Sequence, residues 1–320
     1  MQKQVAGLHK NVGRASPRPA SKSLLREIKK NWIAYLFILP AMVGIFAVIL
    51  VPLVQAIVIS FKRYYILDIL REDPPFVGLA NYAAILSDPQ FWYSLKITVW
   101  FTFACVALTM LFGLLIAILL DQDFPGKDIV AVSVLVPWVI PRVASSILWK
   151  WIYDDQFGIL NYMLSKIGLK SFASFPWLSR AGSAFWAVII VVVWQSVPFI
   201  AVSLLAGLKT IPNEVYEAAE IDGAGFWQKT TLISIPMLRN LITILIVMST
   251  IWDFKVFDQM FVMTEGGPAG STMVLGIYTW MMAFGRLQMG LASALAMIMF
   301  VLVMIVTVIY LKLLMREETL

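Results

Sequence analysis

The chain is nearly empty of the residues that build metal and redox centres. It has one cysteine, Cys105, and one histidine, His9. A single cysteine permits no intrachain disulfide, and a zinc site of the usual Cys/His kind needs three or four such ligands. Charge is scarce as well. Asp, Glu, Lys and Arg make up 14% of the 320 residues, where a soluble globular chain carries about 25%. Phosphate-loop chemistry is also missing: Gly225-Phe226-Trp227-Gln228-Lys229-Thr230 begins like G-x-x-x-x-G-K-[ST], but the second glycine is absent and the lysine is misplaced. Neither a G-x-S-x-G elbow nor an H-E-x-x-H helix occurs. These absences exclude ATP binding by that loop and the common hydrolase sites. They leave no catalytic residue, metal or cofactor to assign, and the chain reads as a non-enzyme.

What the chain has in abundance is apolar length. Hydrophobic residues are 60% of it and mean hydropathy is +0.83, so membrane lipid is the solvent for much of its surface. A helix needs roughly 20 mostly apolar residues to cross the hydrocarbon core. Six stretches qualify, at about 32–60, 94–120, 129–148, 184–205, 241–263 and 291–314. Backbone polar groups in lipid must be bonded internally, and these runs lack the ~10-residue alternation of barrel strands. The expected fold class is therefore all-α integral membrane with six transmembrane helices. It divides into a basic tail, 1–31, and a membrane domain, 32–320.

The net charge is +6, and the tail holds much of it: Lys3, Lys10, Arg14, Arg18, Lys22, Arg26, Lys29 and Lys30 stand against Glu27 alone. A basic arm can bind nucleic acid, but one placed directly before a span is a topogenic flank, and no nucleic acid is expected. The basic stretch and the apolar run behind it are both too long for a cleavable signal peptide. With the N-terminus inside, the cytoplasmic pieces are 1–31, 121–128, 206–240 and the C-terminal tail. They carry those eight cations plus Lys127, Lys209, Lys229, Arg239, Lys312 and Arg316. The external loops carry nine: Lys62, Arg63, Arg71, Lys96, Lys150, Lys166, Lys170, Arg180 and Arg286. This bias favours N-in and C-in. Phe91, Trp92 and Tyr93, with Trp149, Trp151 and Tyr153, fall where outer-interface anchors belong.

One loop is more informative than the rest. Between the fourth and fifth spans the chain reads LKTIPNEVYEAAEIDGAGFWQKTTLISIPMLRN. Asn213 is expected to cap a helix, with Pro212 holding the preceding residue out of helix. Glu214 to Glu220 is a helix-forming run with acids at its positive end, and Asp222-Gly223 is a stop signal. From Phe226 a second, amphipathic helix leads to Pro236 and the next span. Ala218, Ala219, Gly223, Ala224 and Gly225 are small enough to let another backbone approach. By physics alone the loop is either an amphipathic connector or a docking element for a soluble partner.

Glu217-Ala218-Ala219, Asp222-Gly223-Ala224 and Ile233-Ser234-Ile235-Pro236 resemble the EAA loop of ABC importer permeases. Gly223 stands four residues after Ala219 and Ile233 nine after Ala224, as in that family. Thr230 and Thr231 depart from it, where carbohydrate permeases often carry an aromatic residue. The resemblance extends to 76–82, Ser87-Asp88-Pro89, Phe91-Trp92, Gly158 to Asn161, Phe257-Asp258 and Thr264-Glu265-Gly266-Gly267-Pro268. It leaves only the tail unmatched. It is similar to the maltose-permease-like subunit of the carbohydrate branch, and it implies an ABC importer type I permease fold in a bacterial or archaeal cytoplasmic (inner) membrane. It also implies cytoplasmic ATPase subunits, a second homologous permease forming a heterodimer, and a periplasmic or external substrate-binding protein. By the same resemblance Glu217, Ala218, Ala219, Asp222, Gly223 and Ala224 would form the coupling helix that meets the ATPase.

Ionisable residues inside spans are costly and usually functional. Asp253 and Lys255, beside Trp252, Phe254 and Phe257, fall within the fifth apolar run, and Arg142 follows Pro141 in the third. Rings that stack on sugar C–H faces and groups that bond hydroxyls suit a sugar-like substrate. Asp253 and Lys255 can equally snorkel outward or pair. Pro137, Pro141 and Pro198 predict kinked helices. The expected function is transport of a sugar or polyol by an ATP-driven importer. The alternative is an autonomous secondary transporter, which would ordinarily show more spans and paired repeats.

Overall fold

The computed structural model describes residues 31–70 and 74–317. The basic tail, with His9 and its eight cations, lies outside the described residues, as does Arg71. Two units divide between Gln55 and Ala56. Helix α1, Trp32–Ser60, runs through that division and is long and apolar enough to span a membrane. Pro40 lies inside it, and one wide turn covers Phe46–Leu50.

The larger unit continues with α2 (Ala80–Ser87), α3 (Pro89–Asp121), α4 (Lys127–Val139) and α5 (Arg142–Ile152). Then come α6 (Ile159–Lys166), α7 (Ala181–Leu208), α8 (Asn213–Ile221) and α9 (Phe226–Met237). The last are α10 (Arg239–Phe254), α11 (Asp258–Thr264), α12 (Leu275–Trp280) and α13 (Met289–Glu317). Among the described residues extended pairing is limited to one antiparallel bridge, Lys62 with Phe76. Among the described residues four helices can cross a membrane unbroken, and the count reaches six when each of two bent pairs is one span.

The α3–α7 pair forms the axis of this unit. Asp88 starts α3 by accepting the Gln90 N–H at 2.8 Å, with Pro89 in the first turn, where its missing donor costs nothing. Along α3 the buried positions Thr98, Thr102, Cys105, Thr109, Gly113 and Ala117 form a stripe of small residues. A Cβ on Gly113 would stand 2.6 Å from Ile200 Cγ2, so glycine is what allows the two helices to approach. In lipid, where apolar burial gives little drive, such close packing is what holds helices together.

Two expected spans are broken. The third bends by 102° between α4 and α5. Pro137 is carried within α4, whereas Pro141 ends the helix: it lacks an N–H and pushes Ile140 to an extended ψ of 128°. Arg142 therefore opens α5 rather than sitting within a continuous span. The fifth apolar run stops at Phe254 instead of reaching residue 263. Asp253 is in the last turn of α10, and Lys255 lies beyond its end. No Gly or Pro marks that stop. Just beyond it the chain is closely packed: a Cβ on Gly276 would meet the Val256 carbonyl at 3.0 Å.

Candidate functional site

The residues singled out in the sequence direct attention to two places in the larger unit. The first is a cavity of about 280 Å³ at the break of the third span. Its depth follows from Gln195, residue 15 of the 28 in α7 (195 − 181 + 1), the middle of a full span. Gln195 Nε2 donates to the Ile140 carbonyl at 2.7 Å. That carbonyl is left out of the helical ladder by the break, so the amide takes the place of the missing bond. Gln195 Oε1 accepts from Ser145 Oγ at 3.4 Å and from Gln259 Nε2 at 3.1 Å. One side chain thus joins α7, α5 and α11. Gln259 Oε1, buried and lining the cavity, has no partner among the described residues.

Arg142, Trp138, Trp252 and the buried Asp253 complete the lining. Two of these side chains, Trp138 and Trp252, meet a third ring, Phe199. Trp138 stacks on Phe199 at 5.0 Å, and Trp252 meets Phe199 edge-on at 5.3 Å. A cation, a carboxylate, free acceptor capacity and an aromatic wall can together hold a hydroxylated solute.

The five expected path residues do not share this site. Trp252 and Asp253 line it. Phe254 packs with Phe91, Leu275 and Tyr278 in another part of the core. Lys255 is exposed beyond the helix end, and Phe257 stacks on Phe261 at 5.1 Å. On a helix successive residues point about 100° apart, so a contiguous run cannot face one cavity. Sequence reasoning missed Trp138, Gln195, Phe199 and Gln259. Gln195 did carry a signal, as a polar side chain inside an apolar run of Val and Trp.

The second place is the turn between α8 and α9. Pro212, not Asn213, occupies the cap position of α8, and no side chain caps the helix. Pro212 already holds the extended geometry a cap needs (ψ 137°), so Asn213 becomes the first helical residue. The helix ends in a Schellman motif. The Ala224 N–H donates to the Ala219 carbonyl at 2.8 Å, the Gly223 N–H to Glu220 at 3.0 Å, and Gly223 takes φ +79°. The Gly225 N–H then donates to Gln228 Oε1 at 2.8 Å, starting α9. Lys229 pairs with Glu220 at 2.6 Å, and the Tyr216 and Ser234 hydroxyls lie 2.9 Å apart. Below the hairpin Lys209 pairs with Asp121 at 2.7 Å, and that hydrogen bond raises Lys209 above the ordinary lysine value. Glu217, Ala218, Asp222 and Gly223 are exposed, and Ala219 and Ala224 are half-buried.

The helices, the broken span and the mid-depth polar cavity define a membrane transport component. Residues 110–316 match the family described as binding-protein-dependent transport system inner membrane component. The trehalose/maltose transport system permease protein MalF of Thermococcus litoralis is 36% identical over 296 residues, covering 91% of this chain and 96% of that one. The diacetylchitobiose uptake system permease protein DasB of Streptomyces coelicolor is 32% identical, covering 89% and 87%. The sulfoquinovosyl glycerol transport system permease protein SmoG of Agrobacterium fabrum is 32% identical, covering 91% and 93%. A chain of a bacterial ABC transporter that imports alginate has the same fold, with a TM-score of 0.80 at 21% identity, covering 92% of this chain and 99% of that one. The chain belongs to the family of binding-protein-dependent transport system inner membrane components. It is a multi-pass inner-membrane permease.

Proposed function

We propose that the chain is one of two homologous permease subunits of an ATP-driven importer, passing a sugar or related polyol delivered by an external binding protein. In this reading ATP is hydrolysed by cytoplasmic partner subunits, and both termini of the chain are cytoplasmic. The observation that carries it is the α8–α9 hairpin. It is pinned internally and leaves Glu217, Ala218, Asp222 and Gly223 exposed, with Ile221 88% exposed at its tip. A shape held rigid without burying its own face suits a docking element better than a passive connector. Glu217 would meet the ATPase surface, Ala218, Ala219 and Ala224 would allow close packing, and Asp222-Gly223 would set the turn.

The sugar class is supported by two things. The relatives are named for trehalose/maltose, diacetylchitobiose and sulfoquinovosyl glycerol. The cavity supplies aromatic faces beside donors and acceptors, with Trp252, Asp253 and Arg142 on the path and Phe254, Lys255 and Phe257 outside its lining. Uptake of radiolabelled trehalose, maltose and chitobiose by cells carrying the whole transporter tests this. Trp252→Ala and Asp253→Asn should each lower uptake of the transported sugar about tenfold, the effect of ~1.4 kcal/mol of lost contact, at unchanged membrane abundance. Uptake unaffected by both substitutions would remove the cavity from the path.

A further inference from the structure

A hairpin docked on a moving ATPase must hand its displacement to a particular span, and two are joined to it. Helix α8 follows α7 through the short 209–212 segment, and α9 leads into α10 across a 71° bend at Leu238. At the bend α7 and α10 are in tight contact: a Cβ on Gly207 would stand 2.8 Å from Leu238 and 2.6 Å from Leu241. On the α7 side the link to α3 is the ion pair of Lys209 with Asp121, whose lysine is 58% exposed, and such pairs contribute little in water.

On the α10 side α9 continues through its backbone into the bend, and Ser234 adds a side-chain tie from α8 to that path. Ser234 is 5% exposed, within the wide turn Thr230–Ser234. Its hydroxyl pairs with Tyr216 of α8 at 2.9 Å, while its carbonyl accepts the Leu238 N–H at 3.0 Å. The half-buried Tyr216 ring packs against the core around Leu208, Ile211 and Leu238. Ser234 thus binds α8 with its side chain and the bend with its backbone. The Glu220–Lys229 pair also crosses the hairpin, but Glu220 is 62% exposed, and such pairs contribute little in water. The part-buried hydroxyl pair is the stronger tie. From Leu238, α10 runs 15 residues (253 − 238) to Asp253 at the cavity, about 22 Å at 1.5 Å per residue.

We propose that the Tyr216–Ser234 hydroxyl pair is the tie through which movement of the α8 hairpin is delivered to α10 and so to the Trp252–Asp253 wall of the cavity. Both are positioning residues: neither touches substrate or nucleotide. The inference rests on the docking of the hairpin on an ATPase proposed above. Its test is hydrogen–deuterium exchange on the assembled transporter, isolated through a tag on this chain, with and without ADP-vanadate trapping. In the unsubstituted protein, trapping should change exchange in both 213–223 and 245–254. Tyr216→Phe, which keeps the ring, and Ser234→Ala should leave the first change intact. Each should cut the second about fivefold, the shift that losing one hydrogen bond of ~1 kcal/mol produces in a two-state balance. The double substitution should do no more than either single one, since both remove the same bond. A full response at 245–254 in both variants would overturn the tie while leaving docking in place. No response at 213–223 in the unsubstituted protein would overturn the docking reading, and the tie with it.

Discussion

Gly223 takes φ +79°, and nothing lies within 4 Å of where its Cβ would stand. Space does not demand glycine there; the backbone does. An L side chain in that region costs roughly 1–2 kcal/mol, enough to tilt a short exposed turn. Gly223→Val should therefore leave the protein inserted and folded but shift the exposed tip, and Glu217→Lys should reverse the charge there without strain. Both are expected to abolish uptake at normal membrane abundance, and normal uptake by both would refute docking through this turn. Gln195 belongs at this scale too. Gln195→Leu would leave the Ile140 carbonyl without its donor and Gln259 without its acceptor. A buried polar group stripped of its partner costs about 1–3 kcal/mol. The thermal midpoint of the detergent-solubilised protein should fall by several degrees, and an unchanged midpoint would mean that water or another group already serves these atoms.

Among the elements, α3 and α7 approach closely at Gly113. Gly113→Leu would drive side-chain atoms into Ile200, whose nearest atom stands 2.6 Å from an ideal Cβ. Overpacking of this kind costs about 1–3 kcal/mol. Ile200→Ala in the same chain should return most of the lost thermal stability, and failure of that rescue would mean that the helices do not meet through this pair. How far the elements could be read from the sequence follows from what makes each one. Length and hydropathy were sufficient for α1, expected at 32–60 and found as Trp32–Ser60, and nearly so for α7. The break at Pro141 announces itself because proline acts locally. The stop after Phe254 does not, because no Gly or Pro marks it, and the contact found beside it, Gly276 with Val256, joins segments that are apart in the chain. The Gly223 turn was legible because its signal is a backbone conformation, and the Asn213 cap was misread because Pro212 meets the same need one residue earlier.

For the molecule as a whole, the cavity was only half legible. Asp253 and Trp252 stood out as an ionisable residue and a ring in an apolar run, but the aromatic wall draws Trp138, Phe199 and Trp252 from three different helices. No window along the chain contains that wall. The broken third span makes it possible, by turning α5 away at mid-depth and leaving a polar gap that Gln195 bridges. The hairpin and this gap are joined by α10, and under the proposed function that link would make energy use at one end and passage at mid-depth one event. That link is also why the chain, with no phosphate loop of its own, is proposed to act only in an assembly. The most direct measurement is isolation of the tagged chain from its native membranes in mild detergent, with every co-purifying protein identified by mass. An ATPase and a second permease should be recovered, and Glu217→Lys should lose the ATPase while keeping the permease. Recovery of this chain alone, still transporting sugar after reconstitution into liposomes, would contradict the account.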